Sequence, residues 1–214
     1  MTLQNLKRLF DIFDTLSQEL KKIRPDKIIH CLAVGDLCEN LALNIDKHYP
    51  EFGLNPEFCK AIGYLHDIGY IESNEDHELA SVQILEKNFL ENNYYDFLKS
   101  NIHWYVMHGH LYEKYNDKKY LPKGLEGIIL TVADLMTDND GTYYPGISIR
   151  VEKVGKYLKD LSKKTEIDYF GSFNKAVIRF YTYEDLIEHL INIEYIRNGD
   201  IIPYNAMKYK NVRL

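Results

Sequence analysis

The residues of this 214-residue chain with the clearest chemical potential are the adjacent pair His66-Asp67, with His30 upstream and Asp134 downstream. Imidazole nitrogens and carboxylate oxygens suit Zn, Mn, Fe, Co and Ni and, with water as co-ligand, Mg. In mid-helix two neighbours cannot face one ion, because successive residues are about 100° apart. At a helix end the loosening backbone lets both side chains converge. By itself the pair also fits a polar helix terminus, with Asp67 capping and His66 partly buried. Asp134 tilts the reading towards a metal, since it interrupts the apolar run from Ile128 to Met136. An ionised carboxylate there carries a large desolvation penalty unless a cation or hydrogen bonds compensate; the alternative is the wet face of an amphipathic helix. Five of the eight histidines fall between His66 and His110, so imidazole is concentrated around the pair.

The elements that must position these groups read as helices. Asp26 to Ile45 follows Pro25, with Ile29, Leu32, Leu37 and Leu41 on one stripe and His30 beside it. Asn55-Pro56-Glu57 is a helix start: a capping side chain, proline in the first turn, then an acid at the positive dipole end. That helix carries Phe58, Ile62 and Leu65 and is expected to stop near Gly69. Further helices are expected over about Asp76 to Leu90, Tyr95 to Met107 and Leu125 to Met136, the last with Ile128, Ile129, Val132 and Met136 inward. His110 to Lys123 reads as a surface connection and Asp138 to Gly146 as turns. Val151 to Leu161 is amphipathic, and Tyr183 to Ile196 reads as a late helix. The fold class is all-α.

Composition narrows the functional classes. Hydrophobic residues at 45% and charged residues at 27% provide a packed core rather than a disordered tail. A net charge of −6 disfavours duplex nucleic acid, whose binding draws on basic groups at the phosphates. No apolar run comes near the roughly 20 residues of a bilayer span, so no membrane partner is expected. Met1 to Arg8 lacks a basic-then-apolar leader, and Cys31, Cys38 and Cys59 form no CxxC pair. Free thiols in the cytoplasm fit both facts.

The order His30, His66-Asp67, Asp134, together with Ala61-Ile62-Gly63-Tyr64-Leu65-His66-Asp67-Ile68-Gly69 and Val132-Ala133-Asp134, resembles the HD-domain superfamily of metal-dependent phosphohydrolases. The resemblance covers about 26–161 and implies a helical bundle with the metal site between core helices. The expected division is a helical core over 1–164 and a partly helical C-terminal extension over 165–214 packed on it. By resemblance, His30, His66, Asp67 and Asp134 hold one divalent ion. His77 and His108, with His110 able to assist or replace His108, bind a second ion or substrate phosphate. Asp67 is also the expected catalytic residue. His103 is a poorer candidate, and His48 and His189 are taken as structural or solvated. Asp26 is taken as a helix start.

Asp134-Leu135-Met136-Thr137-Asp138-Asn139-Asp140-Gly141, then Ser148-Ile149-Arg150, is similar to a bacterial subgroup of presumed hydrolases, which makes Thr137 and Arg150 candidate substrate contacts. Where many members carry Lys after the His-Asp pair, this chain has Tyr70, leaving phosphate charge to the metals and to Arg150 or Lys123. The expected function is hydrolysis of a small phosphoester, such as a nucleotide or phosphorylated metabolite, by metal-activated water. The cofactor is one or two ions among Fe, Mn, Ni, Co, Zn and Mg. A di-iron oxygenase, kept open by Tyr70, and a non-catalytic metal- or nucleotide-binding sensor are the alternatives; a homodimer is compatible with either.

Overall fold

A computed structural model describes residues 1–165 and 168–198, and the one β feature among them is an antiparallel bridge between Thr137 and Tyr143. The chain is all-α, as expected. Its organising element is α2 (Pro25–His48), which lies against α1 (Leu3–Ile23), α3 (Pro56–Leu65), α7 (Gly124–Leu135) and α9 (Tyr169–Asn198). Between these run α4 (His77–Glu91), the short α5 (Tyr95–Lys99) and α6 (Leu111–Tyr115), and α8 (Ser148–Thr165).

The α2–α3 crossing is close because glycine meets glycine. A Cβ on Gly63 would stand 2.6 Å from the Gly35 Cα, and one on Gly35 would strike the Tyr64 ring at 2.1 Å. The Asn55 side chain accepts from the Phe58 amide and Pro56 opens the helix, as the sequence predicts. After Leu65 the chain tightens into a 3-10 turn over Ile68–Ile71. Gly69 lets that turn sit on α4, since a Cβ there would fall 1.9 Å from the His77 carbonyl oxygen. Ser81, fully buried on α4, accepts from the Gly69 amide at 2.8 Å, and its hydroxyl lies 2.7 Å from the His66 carbonyl, which it can donate to. Two local features, a glycine and a serine, therefore lock the His-Asp turn to the next helix.

Several sequence expectations change. α1 was not anticipated, although Thr2 caps it and Leu6, Leu9, Phe13, Leu16 and Leu20 form its buried stripe. The buried face of α2 is Lys27, His30, Cys31, Val34, Leu37, Cys38, Leu41 and Ile45, while Ile29 is 53% and Leu32 38% exposed. Apolar residues surround this helix, so periodicity alone misphased it. Tyr95–Met107 is broken: Asn101 takes φ +55°, ending α5 and opening a 3-10 turn over Ile102–Val106. The His110–Lys123 connection contains α6, with Leu111 fully buried. Both late helices are longer than expected, α8 running over Ser148–Thr165 and α9 over Tyr169–Asn198.

By length and composition α2 could cross a bilayer, contrary to the sequence expectation, but half of that window is buried against neighbouring elements, as in a core helix. The described part of the expected C-terminal extension forms α9, on α2, α6, α7 and α8. Residues 166–167 and 199–214 of that extension lie outside the described residues.

Gly63→Ala is expected to destabilise the protein by about 1–3 kcal/mol, because the new methyl meets backbone rather than a movable side chain. Urea unfolding measures this, and an unchanged midpoint would contradict the glycine crossing.

Candidate metal centre

Asp67 is the hub. Its carboxylate is 1% exposed and sits where α2, the end of α3, α4, the turn after Val106 and α7 converge. Oδ1 lies 3.1 Å from His77 Nε2, 3.4 Å from His66 Nε2 and 3.9 Å from His108 Nε2. Oδ2 lies 2.9 Å from Lys27 Nζ and 3.7 Å from His30 Nε2. Asp134, one face removed, brings Oδ1 within 2.9 Å of His30 Nε2 and 3.6 Å of His66 Nε2. Three overlapping groups result: His30, His66 and Asp67; His66, His108 and Asp134; Asp67, His77 and His108. In each, the ligand atoms lie within 4.8 Å of one another.

Two observations test whether the residues fit a metal. Three histidines point Nε2 inwards while their Nδ1–H donates to a backbone carbonyl: His30 to Asp138 at 3.1 Å, His66 to Gly63 at 2.7 Å and His108 to Val106 at 2.8 Å. A carbonyl can only accept, so a proton belongs on each Nδ1, and with a cation at the centre each Nε2 would present its lone pair to it. In addition, His66 Nε2 and Asp67 Oδ1 are buried and take part in no hydrogen bond. Orphaned buried polar atoms carry a real free-energy penalty, and a cation between them removes it. The residues fit a divalent ion.

The electrostatics agree. Burial would raise the Asp67 carboxyl, but His66, Lys27 and His77 outweigh it and hold the group well below the usual carboxylate range. Asp134 is likewise held low, against burial, by His30 and His66. Burial pushes His30 and His108 down, towards the neutral form that a metal requires, whereas against burial Asp67 and Asp134 hold His66 up, and Glu78 and Asp67 hold His77 up, until a cation takes over those carboxylates.

Other expected residues separate into those that reach the centre and those that do not. His110 caps α6, lines the same cavity, and meets Phe173 edge to face at 5.9 Å; it belongs to none of the three groups. Tyr70 stacks on His77 with ring centroids 4.2 Å apart, and Lys27 and Arg24 approach its ring at 4.4 and 5.0 Å. Arg150 lines the cavity but donates to Asp138 and Asn139. Thr137 does not reach it, being fully buried with its hydroxyl donated to the Ala133 carbonyl. Lys123 lies over Trp104, away from the centre. His103 is buried against Phe89 outside the cluster, and His189 is exposed on α9. Asp26 pairs with Arg24 in the first turn of α2.

Sequence reasoning missed Lys27, Arg24 and Glu78. Lys27 is 5% exposed, one turn before His30 on the same helix face, so the site does contain a cation near the His-Asp pair. Its i, i+3 spacing to His30 was the available signal, hidden by the misphased stripe. Glu78, 3% exposed, is wedged beside Gly109 and lines the cavity. The charges of His77, His108 and His110 outweigh its burial and lower its carboxyl. Arg179 of α9 donates to the Gly109 carbonyl at 2.9 Å and to both oxygens of Glu113, tying the C-terminal helix to the loop that carries His108 and His110.

A family model described as HD domain matches residues 28–137, just over half of the chain. No curated protein and no solved structure matches it. The chain belongs to the HD domain family, whose members are mostly hydrolases and bind divalent metals.

Asp67→Ala is expected to abolish metal retention and, by stranding the buried Lys27 charge, to cost about 3–5 kcal/mol of stability. Adding Lys27→Met should recover much of the stability but none of the metal. Elemental analysis of protein purified without chelator, paired with urea unfolding, checks both; metal retained in either variant would contradict the arrangement.

Proposed function

We propose that this HD-domain protein hydrolyses a small phosphoester in a metal-dependent reaction. The observation that carries the proposal is the convergence of six ligand residues on buried, orphaned Nε2 and Oδ1 atoms. His30, His66, Asp67 and Asp134 would hold a divalent ion, and His77 and His108 would supply further ligands beside Asp67. Such ions lower the pKa of water towards neutrality and neutralise charge that develops on phosphoryl oxygens.

The chain's own groups do the rest. Lys27 holds Asp67 Oδ2, so the carboxylate is kept in one orientation with Oδ1 turned towards His66, His77 and His108. The backbone carbonyls of Asp138, Gly63 and Val106 hold the imidazoles in one tautomer, so no ligand has to reorient as substrate enters. Lys27, Arg24 and Arg150 line the cavity with positive charge for the non-reacting phosphate oxygens. These three lie outside the matched segment 28–137.

With manganese, nickel, cobalt, iron or zinc added one at a time, a panel of phosphomonoesters should be hydrolysed by wild type and stop at excess chelator. Asp134→Ala should lose at least about three orders of magnitude in kcat/KM, the scale of removing a group that stabilises developing charge. Turnover that survives both treatments would exclude the mechanism.

A further inference from the structure

The cavity that contains the metal cluster is much larger than a phosphate needs. It measures about 840 Å³, within the roughly 300–1,000 Å³ of sites that enclose whole organic ligands. One end is the His/Asp centre. The other lies between α8 and α9 and is apolar: Val154, Leu158 and Leu161 of α8, spaced i, i+4 and i+7, face Phe173 and Phe180 of α9. The α8 side chains are only half-buried, Val154 and Leu158 packing in part against the core, so apolar surface is left at the cavity wall. Phe173 and Phe180 are 4% and 2% exposed, with ring centroids 5.8 Å apart. The two ends are continuous, because His110 next to the metal cluster meets the Phe173 ring edge on. Arg150 and Lys153, in the first turns of α8, stand between them, both held by Asp138.

From this arrangement we infer that the α8–α9 end of the cavity is a subsite for a bulky apolar group, so the substrate class is an organic phosphate bearing such a group. The inference rests on the hydrolase reading above and deepens it. An apolar wall half open to water gains free energy when covered by apolar surface, and a flat ring system would cover the three α8 side chains at once. The phosphate would sit at the His/Asp centre with Arg150 and Lys153 along the linking part. In the reaction, water oxygen forms the new P–O bond, the ester P–O bond breaks, and the departing alcohol oxygen receives the proton that water loses. Both walls lie outside the matched segment 28–137.

The test compares 1-naphthylmethylphosphonate with methylphosphonate, both inert to hydrolysis, by calorimetry on the manganese-loaded full chain, with turnover of 1-naphthyl phosphate measured in parallel. The naphthyl compound should bind on the order of tenfold or more tightly than the methyl compound, the scale of a well-filled apolar pocket. That preference should shrink in Leu158→Gln and in the milder Val154→Thr, with metal content and helicity as folding controls. Equal affinity of the two phosphonates, or a preference untouched by both folded variants, overturns the subsite whether or not turnover is seen. A naphthyl preference lost in the variants but without turnover upholds the subsite and removes the hydrolase reading. Turnover without preference does the reverse.

Discussion

A single buried carboxylate constrains this structure more than any other group. Asp67 is almost wholly withdrawn from water, and a carboxylate in that position persists ionised only if positive or polarised groups surround it. Lys27 from α2, His66 from the end of α3, His77 from α4 and His108 from the loop before α6 all lie within 4 Å of it. None of these helices can shift by a turn without exposing or stranding that charge. The bundle is thus organised as much by the electrostatic requirement at its centre as by the apolar core around it.

The surrounding architecture serves the same requirement through backbone groups. Each of three imidazoles is anchored at Nδ1 by a carbonyl from a different kind of element: a turn after α7, the interior of α3, and a 3-10 turn. The glycines at the α2–α3 crossing and at the His-Asp turn allow these backbones to come close enough, and Ser81 ties the turn to α4. Asp138 links the far side: its carbonyl receives the His30 proton while its side chain holds Arg150 and Lys153 of α8. Through Asp138 and through Arg179, the helices that follow the shared family segment are coupled to the metal ligands. The helices that line the apolar end of the cavity and those that carry the His/Asp cluster are therefore mechanically connected.

The ligand set was legible because it is carried by short local patterns. His66-Asp67 at a helix end, Asp134 within an apolar run and His30 upstream stand out by residue type alone, and the structure draws them together as an ordered set with His77 and His108. The helix start at Asn55-Pro56 was equally legible, since capping is a contact between residues three apart. Lys27 was not, because its value comes from facing a carboxylate 40 residues away. On a helix with apolar residues on nearly every side, periodicity cannot decide which face is inward; the exposed Ile29 and Leu32 and the buried Lys27 were settled by what packs against them. Thr137 failed in the opposite direction: its type and place suggested a contact, but its hydroxyl was needed by the end of its own helix.

The sequence by itself determined the helical class, the candidate ligand residues and the family, because each depends on local spacing and on residue chemistry that no neighbour can alter. Only the tertiary structure decided the phase of α2, the pairing of Lys27 with Asp67, the wedge of Glu78 beside Gly109 and the apolar end of the cavity between α8 and α9. Those features arise where surfaces distant in the chain meet, and burial, which sets both the strength of a charge pair and the shape of a cavity, is a property of that meeting rather than of any segment.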